Sequence, residues 1–179
     1  EDYNKQEYVN SLTNTLKSRR YNEIKAQFLK DNPLDVVADD LKAIVLKSKG
    51  DLVGAIGAYQ KLASLQPSNP YPNFFIADLY MTMNNKDKAL KELEKADIKS
   101  ELSIELDFPE LHYMYGELLA DDKNKKEAMT QFDKTYELVK KDKVFLEQLK
   151  ESFKKIKATK KVKDIETQIS FLNDEEERI

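Results

Sequence analysis

The side chains able to do chemistry are few and scattered. His112 is the only histidine, so a zinc site of the HExxH type, which needs two imidazoles one helical turn apart, cannot form. No nucleophile, base and orienting group stand together beside it. The chain has no cysteine, which removes disulfides, thiolate metal ligands and a thiol nucleophile. Gly50, Gly54 and Gly57 lack the GxGxxG or GxxxxGK spacing that cradles phosphate. Gly54 and Gly57 fall inside a helical stretch, where close contact between helices is the expected reason for them. Asp39 with Asp40, and Asp121 with Asp122, are adjacent pairs that point in different directions on a helix and make poor carboxylate dyads. The reading is a non-enzyme with no catalytic residues, no cofactor and no metal.

What remains is charge and apolar surface. A net charge of −3 argues against nucleic acid as the default partner, because phosphate binding needs concentrated Lys and Arg. The distribution is uneven: ten lysines face three acids between Lys140 and Lys163. Lys150, Lys154 and Lys157 share one helical face, followed by Lys160, Lys161 and Lys163. That stripe reads either as a patch for an acidic partner, an anionic lipid surface or RNA, or as a solubilising face tempered by Glu147 and Glu151. The scarcity of arginine and stacking aromatics favours the second. With 40% apolar and 35% charged residues, the composition is that of a soluble, folded chain, and no stretch approaches the ~18 apolar residues of a membrane span. The chain begins at Glu1 without methionine, which fits an exported or envelope-associated protein whose leader has been removed and fits a trimmed chain equally well.

Long helices must position these groups. Only four glycines and five prolines occur, and Pro33, Pro67, Pro70, Pro72 and Pro109 cluster where turns are expected. A repeat organises the apolar residues. Ala43, Leu46, Gly50, Leu52, Ala55, Ile56, Tyr59 and Leu62 recur 34 residues later as Ala77, Tyr80, Asn84, Lys86, Ala89, Leu90, Leu93 and Ala96. After 39 more residues the series reads Gly116, Leu119, Lys123, Lys125, Ala128, Met129, Phe132 and Thr135. The five extra residues are expected in a loop within Asp97 to Phe108. Small residues fall where the two helices of a hairpin approach closely, and larger apolar ones fill the space between hairpins. Asp35, Asp51, Asn85, Asn124 and Thr159 stand where N-caps belong, and Asn124 with Glu127 has the form of a capping box.

The stretch GDLVGAIGAYQKLASLQPSNP, residues 50–70, resembles the second helix and closing turn of a tetratricopeptide repeat, with Leu52, Ala55, Tyr59, Leu62 and Pro67 at the pattern positions. Leu52 and Leu62 depart from the commoner aromatic and alanine. The next repeat keeps Ala77, Tyr80, Ala89 and Ala96, and the third keeps Gly116, Ala128 and Phe132. The resemblance implies an all-α, right-handed superhelical solenoid of antiparallel helix pairs in a single domain of about five hairpins. Residues 36–69, 70–99 and 109–141 form the repeats. Residues 1–33 and 144–179 form divergent terminal hairpins, the first carrying Tyr8, Leu12, Leu16, Tyr21, Ile24 and Phe28. At the position of His112 the family places a packing residue.

The same resemblance implies a protein-binding scaffold whose first helices line a concave groove. Carried onto this sequence, the groove positions are Asp40, Ile44, Lys47, Tyr71, Phe74, Asp78, Met81, Tyr113, Glu117 and Asp121. An acidic floor with aromatic faces suits a basic or apolar segment of a protein or peptide partner; the competing reading makes the aromatics core and the acids a solvated face. Of the adjacent Phe74 and Phe75, one is expected at the surface or an interface. Family members that grip acidic chaperone tails use lysine, asparagine and arginine, and Asp40, Ile44, Asp78 and Glu117 do not fit that clamp. A structural module that self-associates into a homo-oligomer, or a binder of anionic partners or RNA through the lysine-rich last hairpin, is the alternative.

Overall fold

The computed structural model describes residues 33–176; the expected hairpin at residues 5–30 lies outside them. Among the described residues the α-helices are α1 Pro33–Ser48, α2 Leu52–Leu65, α3 Tyr71–Thr82, α4 Lys86–Leu102, α5 Pro109–Asp121, α6 Lys125–Val139, α7 Lys143–Lys155 and α8 Thr159–Glu176. A 3-10 turn, Ile104–Leu106, precedes α5. Consecutive helices pair as hairpins, α1 with α2 through α7 with α8. The chain divides between Asp107 and Phe108 into two compact units, the first holding α1–α4 and the second α5–α8.

Local chemistry sets the helix ends. Side-chain oxygens of Asp51, Asn85 and Asn124 accept from the amides of Gly54 (2.8 Å), Lys88 (3.3 Å) and Glu127 (3.4 Å), each satisfying an open donor of the first turn. Asp142, which the sequence reading passed over, does the same for Phe145 at 2.9 Å. Two expected caps are displaced. Helix α1 starts at Pro33, a residue suited to the first turn because it has no amide to satisfy, so Asp35 lies inside the helix. Thr159 is the first residue of α8 rather than its cap.

The first helix of each hairpin closes in the left-handed conformation, at Gly50 (φ 81°), Asn84 (56°), Lys123 (63°) and Lys157 (62°). The residue after each returns its amide to the helix: Asp51 to Leu46, Asn85 to Tyr80, Asn124 to Leu119 and Ala158 to Phe153, at 2.8–2.9 Å, the six-to-one bond of a Schellman turn. These four positions are separated by 34, 39 and 34 residues, so the last hairpin keeps the period even though Lys150 and Val162 replace the small residues. The five extra residues do not open a loop. They extend α4 to Leu102 and supply the 3-10 turn.

Ala43, Ala55, Ala77, Ala89 and Ala128 are fully buried, as the repeat requires. Gly116 is buried as well, and a methyl group there would lie 2.5 Å from the Phe132 ring. Gly54 and Gly57 do not mark close helix contacts. A methyl group at Gly57 meets nothing within 4 Å, and at Gly54 the nearest atoms are those of the capping carboxylate of Asp51 on the same turn. The first unit's core runs through Tyr59, Tyr71, Phe74, Phe75, Leu79 and Leu93, the second's through Leu111, Phe132, Leu146, Leu149 and Phe153. Phe74 and Phe75 are both buried, against the expectation that one reaches the surface, because every residue of α3 from Tyr71 to Leu79 is covered. The Phe75 ring packs tilted against Tyr59 with centroids 5.2 Å apart and edge-on to Phe74 at 5.9 Å. No helix among the described residues is long and apolar enough to cross a membrane.

Candidate functional site

In the first unit, α1 and α3 are the first helices of their hairpins, and their facing side chains meet. Lys47 extends from α1 and places its ammonium 2.6 Å from Asp78 Oδ2 on α3. Asp78 is only 1% exposed, and its other oxygen, Oδ1, is buried without a hydrogen bond. Asp40, seven residues before Lys47 on α1, is buried to the same degree. Its neighbour Asp39 turns the other way to pair with Lys61 of α2 at 2.8 Å, so the adjacent acids diverge as helix geometry demands. The Tyr59 hydroxyl lies where both inward acids act on it: burial pushes its pKa upward, and the charges of Asp40 and Asp78 push it further. Ile44 and Met81 are half-buried on this face.

Tyr71 and Phe74 do not present their rings to a ligand. Both are fully buried and belong to the core, which is the correction the fold imposes on the expected aromatic faces. Asp40 and Asp78 likewise lie beneath the surface. The accessible part of the first unit's face is therefore Ile44, Lys47 and Met81 above a buried acidic pair.

The second unit builds a related arrangement from different elements. Glu117 stands 39 residues after Asp78, at the same place in its repeat. Lys155, from α7, reaches α5 and pairs with Glu117 at 3.2 Å and Asp121 at 2.5 Å. Here two carboxylates share one ammonium. Ser152 donates to the Tyr113 hydroxyl at 3.2 Å, and the Tyr113 ring packs edge-on against Phe145 at 5.5 Å. The pKa of Tyr113 is pushed up to about 12, first by burial and then by the charge of Glu117, while the Ser152 bond and Lys155 act in the opposite sense. The lysine bridges went unnoticed in the sequence because their partners are 31 to 38 residues apart. A lysine near the end of one first helix and an acid on the next was the available signal.

The remaining chemical side chains serve the scaffold. His112 is 1% exposed, with Nδ1 2.8 Å from Gln131 Oε1. Asn73 donates to Glu92 at 2.6 Å and accepts from Lys99 at 2.7 Å, tying α3 to α4; burial lowers the Lys99 pKa, against the raising influence of Glu92. Half of the lysine stripe is paired with acids: Lys150 with Glu147, Lys154 with Glu151 and Lys161 with Asp133, at 2.5, 2.7 and 2.8 Å. An open depression of about 530 Å³ flanks α4, lined by Tyr80, Lys88, Lys91, Glu92 and Ile98, with the Lys88 ammonium 5.4 Å from the Tyr80 ring centre.

The comparisons with known proteins bear on the fold. The family model described as tetratricopeptide repeat matches residues 72–97, the span of α3 and most of α4. No curated protein matches the chain. Among solved structures, a crystal structure of MamA superposes with a TM-score of 0.61 at 12% identity, covering 87% of this chain and 88% of that one. A second MamA structure gives 0.60 at 18% identity over 78% and 74%. YrrB, described as a TPR protein with an unusual peptide-binding site, gives 0.53 at 18% identity over 86% and 84%. At such identities the likeness establishes fold. Residues 72–97 match the tetratricopeptide repeat, and the hairpins around them share the all-helical fold of solved tetratricopeptide-repeat structures.

Proposed function

We propose that this protein is an interaction scaffold, and that the first-helix face of each unit receives a segment of a protein partner carrying basic and apolar side chains. The carrying observation is a carboxylate–lysine pairing between first helices on each face: Asp78 with Lys47 in one unit, and Glu117 and Asp121 with Lys155 in the other. These acids stand beside half-buried Ile44 and Met81 in one unit and half-buried Tyr113 in the other. Apolar contact supplies the affinity, and the acids of the face select cationic side chains over anionic ones. YrrB, of the same fold, is described by its peptide-binding site, which makes peptide recognition a reasonable use of this architecture. The lysines of α7 and α8 are mostly paired with acids, so an anionic partner is disfavoured.

An array of synthetic peptides mixing basic and apolar residues tests the reading. We expect captured peptides to bind about tenfold or more weakly to Met81→Lys in the first unit or Asp121→Lys in the second, with the circular dichroism of both variants unchanged. Peptides that bind both well-folded variants as tightly as the native chain place the interaction elsewhere.

A further inference from the structure

We infer that Lys47 is an internal stand-in for a partner's cation: it occupies the acidic position on Asp78 in the free protein, and an arginine from the partner replaces it. This rests on the first-helix face being the binding surface, and it specifies the side chain recognised there. Three observations carry it. Asp78 is buried, yet Lys47 engages only one of its oxygens, and Oδ1 is left without a hydrogen bond. A buried carboxylate oxygen without a donor is costly, and a planar guanidinium can serve both oxygens at once where an ammonium on a flexible stem serves one. Lys47 itself is 25% exposed at the side chain, so its ammonium can swing to water without unpacking the helix.

The second unit supplies an independent instance. Glu117 stands at the repeat position of Asp78, and its lysine comes from the following hairpin, whereas Lys47 comes from the preceding one. Two successive repeats thus carry an acid at this place, where the repeat before them has Ile44, and each acid is filled from a different neighbour, as expected of a socket for a cation rather than of one fixed ion pair. The lysine lowers the cost of burying the acid while no partner is bound. It also sets a threshold, because only a ligand that holds the carboxylate better than a lysine displaces it.

The probe is a short alanine peptide with one central arginine, compared with its citrulline counterpart, which has the same shape and no charge. Binding is followed in the full chain by the nuclear magnetic resonance signals of the Asp78 and Glu117 carboxyl carbons. We expect Lys47→Met to bind the arginine peptide about tenfold more tightly than the native chain, with the Asp78 signal shifting on binding, and the citrulline peptide to show neither effect. Lys155→Met, at a more exposed pair, is expected to behave likewise at Glu117, and it decides the question if Lys47→Met does not fold. Equal affinity of the native and lysine-free chains for the arginine peptide, or equal binding of arginine and citrulline, overturns the inference. If that happens while Met81→Lys still weakens capture of array peptides, the binding face stands and the displacement alone fails. If arginine binding tightens but the array variants lose nothing, the socket exists and the wider face does not.

Discussion

Gly116 and Gly57 both lie inside helices, yet an added methyl group has opposite consequences at the two. At Gly116 it meets the fully buried Phe132 ring at 2.5 Å, and a packed ring cannot retreat without moving its neighbours. Gly116→Ala is expected to cost about 1–3 kcal/mol. At Gly57 it meets nothing within 4 Å, so Gly57→Ala only removes backbone freedom from the unfolded chain and is expected to stabilise by about 0.5–1 kcal/mol. Urea unfolding of the two variants checks the pair. The tyrosines give a second residue-level prediction. Tyr113 titrates at about 12 in the folded chain, against 10.0 ordinarily, and Tyr59 is shifted in the same direction. The folded state therefore keeps a phenolic proton that the unfolded chain releases, and stability must fall as pH rises from about 10 through 12. For Tyr113 the loss is on the order of 2 kcal/mol. Unfolding curves at stepped alkaline pH should show the decline, and Tyr113→Phe should flatten it.

At the scale of the element, the closing turns carry a measurable strain. Lys123 and Lys157 hold φ of 63° and 62° where the first repeat uses glycine, and a residue with a side chain pays about 1 kcal/mol or more for that conformation. Lys123→Gly is expected to raise stability by about 1 kcal/mol in thermal unfolding; a loss would mean that the lysine side chain makes a contact worth more than the strain. These turns also mark what the sequence could convey. Asp51, Asn85 and Asn124 were legible as caps because capping depends on a residue and its next three neighbours. Lys123 was legible only by its register with Gly50, and Lys157 was not, because Lys150 and Val162 erase the small-residue signature while the backbone keeps the period. The burial of Tyr71 and Phe74 was decided by neighbours on all sides of α3. A helix covered all round shows no stripe that tells its inward residues from its ligand-facing ones.

At the scale of the molecule, a modest net charge of −3 conceals a specific arrangement. Acids on first helices are met by lysines 31 to 38 residues away, and lysines of the last hairpin are met by acids on their own or adjacent helices. Residue counts and helical wheels do not reveal pairings between hairpins, so the expected open acidic floor became two partly neutralised sockets. The ten positions read from the resemblance divide accordingly. Tyr71 and Phe74 are core, Asp40 and Asp78 are buried acids, and Ile44, Lys47, Met81, Tyr113, Glu117 and Asp121 retain some exposure. The most direct test of binding through first helices is amide and methyl chemical-shift mapping with a peptide captured from the array. The account predicts the largest changes at Ile44, Lys47 and Met81 or at Tyr113, Glu117 and Asp121, with α2, α4, α6 and α8 little affected. Changes concentrated on those second helices, with α1, α3 and α5 silent, would contradict it.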